Sequence, residues 1–274
     1  MVAQLFNTNH GLSINTPDSR RRSSMIDLSA LNIDDAGDSR EERTFRMWIN
    51  SLNIEGVYVN DLFSETRDGV YLLKVIDTVQ PGLVLPKRVN YEPKSRFKAV
   101  ENCNYIVDLG KGALGFSLTN VGGLDILDGN KKLILAFMWQ LMRMYTLKVL
   151  TTLALSQGIT SVTDEVIVAW ANEKVRASGR TSTMRSFKDS SLRSSIFLLE
   201  LVSAIEARAV KWEVVTGAET EADQLLNAKY VISVARKVGA CVFLTPEDIV
   251  EVKSKMIMTF CAELWRSTLS GEGG

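Results

Sequence analysis

The residues of this chain that could do chemistry are few. Gly110, Gly112 and Gly115 in GKGALG spell a G-x-G-x-x-G pattern. A dinucleotide fingerprint of that form follows a strand and opens a helix, so that backbone amides at the helix start can cradle a pyrophosphate. Here it follows CNYIVDLGK, which reads as a helix, and runs into FSLTNVGG. Glycines so placed end a helix and start a turn. No G-x-x-x-x-G-K-[ST] loop is present. His10 is the sole histidine and falls in a segment that reads as a tail, which removes most Ser/His and Cys/His nucleophile schemes. Cys103, Cys241 and Cys261 are scattered, with no C-x-x-C pair, and read as reduced, buried thiols. The acid groups Asp125 with Asp128, and Glu247, Asp248 and Glu251, read as acids at helix N-termini, where the helix dipole favours them. No loop has the carboxylate spacing of an EF-hand. The expectation is a chain with no catalytic residues, no metal and no cofactor. Arg20–Ser24, RRRSS, resembles a site for a basic-directed kinase, with Ser23 and Ser24 as acceptors.

The bulk properties exclude further classes. Lys+Arg and Asp+Glu are 32 each among 274 residues, so no overall basic field argues for nucleic acid. Hydrophobic residues make up 46%, enough for one or two cores. Residues 1–12 lack the basic and apolar regions of a secretory signal. The longest apolar run, KKLILAFMWQLMRMYTL, is interrupted by Lys131, Lys132, Gln140 and Arg143. It reads as a core helix rather than a membrane span, which needs about 20 apolar residues.

The elements that carry these residues follow from periodicity. Residues 13–38 are rich in Ser, Asp, Asn and Arg without sustained pattern and read as a flexible linker. Pattern begins at Glu41, and Phe45, Trp48, Ile49 and Leu52 mark one face of a helix. The chain then repeats itself. Phe45–Trp48 corresponds to Ile167–Trp170, Val70–Leu73 to Ile196–Leu199, Asn104–Val107 to Lys229–Ile232, and Asp125-Ile126 to Asp248-Ile249. Four matches in order at near-constant spacing indicate two similar helical domains. Ser156-Gln157-Gly158 reads as the turn between them, and Thr163 and Thr245 as helix N-caps.

On the apolar helix, Lys132, Ala136, Gln140, Arg143 and Leu147 fall along one side. Large apolar side chains cover the rest, so the helix belongs near the centre of the first unit with that strip showing. Lys131 and Lys132 sit at its positive end. That calls for solvation or an acidic partner. The corresponding segment of the second unit carries Lys255, Glu263 and Arg266 instead, so the two units differ in role.

REERTFRMWINSL (Arg40–Leu52), VENCNYIVDLGK (Val100–Lys111), LILAFMWQLMRMYTL (Leu133–Leu147), WANEKVRASGRTSTMRSFKDSSL (Trp170–Leu192), LNAKYVISVARKVGACVFLTPEDIVEV (Leu226–Val252) and KMIMTF (Lys255–Phe260) resemble the fimbrin (plastin) family, in its second, C-terminal actin-binding domain. The resemblance implies an all-α fold of two tandem calponin-homology domains. These span 39–150 and 159–270, joined by 151–158. It also implies that 1–12 closes a preceding domain of the same kind, and that the family's first actin-binding domain and calcium-binding hands lie outside this chain. The implied partner is F-actin, with no nucleic acid, no membrane and no cofactor, in the cytoplasmic actin cytoskeleton. The family's contact segments fall on Glu41–Asn53, Asn130–Leu150 and Thr163–Arg176. From these and the strip, the expected contacts are Lys131, Lys132, Arg143 and Lys148 for acidic groups, Leu147 and Leu150 for apolar contact, and Arg43, Arg46, Lys174 and Arg176 as rim charges. Asn50 and Gln140 complete the set. Bundling then belongs to a parent protein with two such units. An alternative is a scaffold for another partner, with the actin face hidden by domain packing. Two departures from the family pattern bear on loop shape: Ser194-Ser195 where Asp-Gly is usual, and Glu206-Ala207-Arg208 where Glu-Pro-Arg is frequent.

Overall fold

The computed structural model describes residues 33–118 and 121–270, and these hold α-helices, short 3-10 turns and no strand. The expected all-α class is met. Residues 1–32, with His10, Ser23 and Ser24, lie outside the described residues.

The leading unit contains α1 (Ile33–Ser51), α2 (Leu62–Glu65), α3 (Val70–Val79), α4 (Arg96–Lys111), α5 (Gly123–Leu127) and α6 (Lys131–Ala154). The trailing unit contains α7 (Asp164–Ala177), α8 (Ile196–Ile205), α9 (Glu221–Lys237), α10 (Pro246–Val250) and α11 (Ser254–Ser270). The repeat read from sequence recurs in the polar skeleton. Asn102 on α4 accepts from the Asn90 N–H at 2.8 Å and donates to the carbonyls of Asp68 and Asn90, both at 2.9 Å. Asn227 on α9 does the same with Thr216 and Ser194. The Tyr105 hydroxyl accepts from Leu85 N–H and the Tyr230 hydroxyl from Lys211 N–H. Asn50 braces Val59 through two bonds, and Asn172 braces Met184 likewise. A buried amide that satisfies three loop groups at once holds an irregular segment without regular secondary structure.

Several boundaries differ from the sequence reading. Backbone helix begins at Ile33, inside the segment expected to be linker. α6 continues past residue 150 to Ala154, and a 3-10 turn then ends at Gly158 with φ +77°. Asp125 and Asp248 do sit in first turns and accept from the N–H of Gly122 and Thr245. Asp128 and Glu251 do not: α5 and α10 are single turns, so an acid three residues further on falls at the C-terminal end. There each finds an arginine, Arg96 at 2.6 Å and Arg40 at 2.8 Å.

The glycine pattern closes α4. A Cβ at Gly110 would meet Leu118 at 2.7 Å and Phe137 of α6 at 3.0 Å, and Gly115 turns the chain with φ +65°. Thr163 and Thr245 cap α7 and α10 as expected. Ser195 takes φ +62°, the left-handed conformation that Gly69 takes at the equivalent start of α3, so the loop keeps its shape without glycine.

α6 is long and apolar enough to cross a membrane by length and hydropathy. Its apolar side chains are instead core: Ile134, Leu135, Phe137, Met138, Leu141 and Met142 are buried. The helix buried all round is α11, where every residue from Met256 to Trp265 is buried. It packs against both α6 and α7, and so it lies between the two units. Trp265 stacks on Trp170 at 5.1 Å and 8°. The units also meet through Arg40, whose Nη2 reaches both oxygens of Glu251, and through the Thr44 hydroxyl donating to the Phe243 carbonyl.

Candidate functional site

The strip on α6 runs from side chains at the surface to side chains bonded into the fold. Lys131, Lys132 and Ala136 are exposed along its first turns. The amide side chain of Asn130 caps the helix at Leu133 N–H, so the lysines are held at the positive end of an ordered helix. The Lys131 ammonium lies 5.4 Å from the Phe63 ring on α2. Glu42 on α1 accepts from the Leu62 N–H at the start of α2. α2 therefore ties the middle of α1, which carries exposed Arg43, to the start of α6.

The other expected contacts have internal work. Gln140 accepts from Ser117 N–H at 2.8 Å and donates to the Ser117 and Ala136 carbonyls. Arg143 pairs with Asp164, the first residue of α7, at 2.7 Å across the two units. The Lys148 ammonium donates to the Val79 carbonyl and to Gln80 Oε1 at 2.7 Å, closing the end of α3. Asn50 is the brace described above, and Arg46 lies 3.3 Å from Glu42. Leu147 is half-buried. Leu150 is 1% exposed. The expectation that Leu150 offers apolar surface is corrected: at this point the helix side faces the core. On α7, Lys174 and Arg176 are exposed in the last turn, with Arg176 paired to Glu173.

The electrostatics outside the strip are structural. Arg40 is the main cause holding Glu251 below its ordinary carboxylate value, while burial pushes Asp248 up. Burial lifts the Cys103 and Cys261 thiols to about 12, which leaves them inert. Cys241, expected buried, is exposed, with Arg266 Nη2 at 3.1 Å from its sulfur. No group of three or more His, Cys, Asp or Glu able to hold a metal ion occurs among the described residues.

Two features are not legible in the sequence: the inter-unit partners Asp164, Arg40 and Glu251, and a cleft beside Trp139. Residues so far apart in the chain leave no local signal. The near-repeat itself gave one clue, because Arg40 has no counterpart at the matching position before α7.

Residues 39–147 and 161–269 each match the calponin homology (CH) domain. The chain belongs to the calponin homology family. The chain is 48% identical to Fimbrin-5 of Arabidopsis thaliana across 96% of its length, and 42% identical to Plastin-1 of Mus musculus across 95%. It spans 37% and 40% of those two proteins. In structure it resembles the actin-crosslinking core of Schizosaccharomyces pombe fimbrin, with TM-score 0.72 and 40% identity over 83% of this chain and 48% of that one. The fimbrin/plastin resemblance seen in the sequence is thus borne out, as is the tandem of two CH domains.

Proposed function

We propose that the CH pair binds F-actin non-covalently and catalyses no reaction, as one filament-binding unit of an actin-bundling protein of the cytoplasmic cytoskeleton. The observation that carries this reading is the 40% identity, over 83% of the chain, with a fimbrin actin-crosslinking core. One such unit holds one filament, so cross-linking requires a second unit.

The surface that best supports the reading is the solvent-facing part of the predicted site. Lys131 and Lys132 open α6, Arg43 lies on α1, and Lys174 and Arg176 end α7. These cations suit an acidic partner. Exposed charges of this kind set encounter rate and salt dependence, while desolvated apolar anchors carry affinity. Half-buried Leu147 is the apolar group on this surface that a partner can reach. Gln140, Arg143, Lys148 and Asn50 hold the fold and the two units in place, and their contribution to binding is indirect in this arrangement.

The test is co-sedimentation with F-actin at low and high salt. Pelleting at low salt that weakens as salt rises supports the reading; absence of pelleting at low salt contradicts it.

A further inference from the structure

Between the two CH units lies a cleft of about 620 Å³, within the range of small-ligand sites. Its floor is apolar. α6 contributes the half-buried Trp139, and the trailing unit contributes Val168, Met184, Phe187 and Met258. Its rim is cationic. Arg185, Lys188 and Lys255 are exposed; Arg185 interacts with the Asp189 carboxylate, while Lys188 and Lys255 enter no ion pair among the described residues. The Lys255 ammonium lies 5.5 Å from the Trp139 ring centroid, where floor and rim meet. Of the two carboxylates at the mouth, Asp164 is neutralised and exposed Glu165 keeps its charge. Asp164 pairs with Arg143 at 2.7 Å, and Glu165 is bonded to the Thr163 hydroxyl. Lys255 sits in the first turn of α11, which has no acidic residue there, whereas α7 and α10 each carry two. The positive end of α11 therefore adds to the lysines rather than being offset by its own side chains.

We propose that this cleft binds a free amphipathic anion: an aromatic or aliphatic body against Trp139, Phe187 and Met258, with one carboxylate, sulfonate or phosphate met by Lys255 and Lys188. An apolar floor alone would accept a neutral body equally well. The unpaired cations at one edge select the charged form and orient it. The floor is shared between units, so occupancy favours the arrangement seen here and raises thermal stability with ligand concentration. This inference does not rest on filament binding.

The test titrates the full chain with 1-anilinonaphthalene-8-sulfonate, following its emission and the quenching of tryptophan. Saturable one-site binding with a rise in Tm is expected. Lys188→Glu, in an exposed loop, should weaken it about threefold, and Lys188→Glu with Lys255→Glu at least tenfold. Lys87→Glu, which is not among the residues lining the cleft, should leave it unchanged. The uncharged N-phenyl-1-naphthylamine should bind more weakly and respond to neither lysine change. Non-saturating binding, or sulfonate binding by the folded double variant as strong as that of wild type, overturns the proposal. So does displacement of the probe by phosphatidylserine vesicles, because that assigns the anion site to a membrane surface.

Discussion

Single residues show how the repeated fold tolerates departures from its own pattern. Ser195 holds a left-handed backbone at φ +62°, is fully buried, and leaves its hydroxyl without a partner. Each is a cost: strain of roughly 1 kcal/mol for the conformation, and an unsatisfied buried hydroxyl besides. Ser195→Gly removes both and loses some unfolded-state entropy in return. Urea denaturation should show the variant more stable by about 1 kcal/mol. Ser194 keeps the companion role of Asp68: its hydroxyl accepts from Ile196 N–H as the Asp68 carboxylate accepts from Val70 N–H. Asn227 is the opposite case. Asn227→Ala strands the amide of Thr216 and two carbonyls, and should cost about 3 kcal/mol in the same assay. Asn50→Ala should act likewise, lowering stability, with filament binding of the folded fraction unchanged.

At the scale of elements, the junction between units is set by α1 on α10 and α6 on α7 and α11. Arg40 serves two carboxylates of opposite tendency: Glu251, drawn down by the arginine's hydrogen bond, and Asp248, pushed up by burial. A carboxylate with a depressed folded value contributes stability above its unfolded value, and that contribution disappears as pH falls through the folded value. For Glu251 the unfolded reference is 4.5. Asp248 needs Arg40 only when ionised, so both carboxylates move the arginine's effect the same way. The stability difference between wild type and Arg40→Ala should therefore be full above about pH 5 and shrink as pH is lowered below it. A difference that does not vary with pH would show that Arg40 acts by packing alone. Elements are also where the sequence was most legible. Phe45, Trp48 and Ile49 marked α1, the matched segments marked the repeat, and Thr163 and Thr245 marked helix starts, because helical period and capping are local. The one-turn helices α5 and α10 are too short for a sequence to show where they end, so Asp128 and Glu251 read as N-terminal acids although they stand at C-terminal ends. Arg143 and Lys148 read as available charges in the sequence because their partners, Asp164 and Gln80, lie 21 and 68 residues away.

For the molecule as a whole, duplication has produced two units with the same skeleton and different surfaces. The last helix of the leading unit, α6, keeps an exposed cationic start. Its counterpart α11 also opens on an exposed lysine, Lys255, but is buried from Met256 to Trp265 and serves as the seam. That difference accounts for why the apolar run at 133–147 reads as central and yet retains a polar strip, and the proposed filament contact rests chiefly on the start of that helix. The measurement that tests this most directly is F-actin co-sedimentation, at low salt, of wild type and of Lys131→Glu with Lys132→Glu. Circular dichroism would confirm that both are folded. The account predicts that the wild type pellets and that the double variant binds at least about tenfold more weakly, roughly 1.4 kcal/mol. A folded double variant that pellets as the wild type does would contradict it.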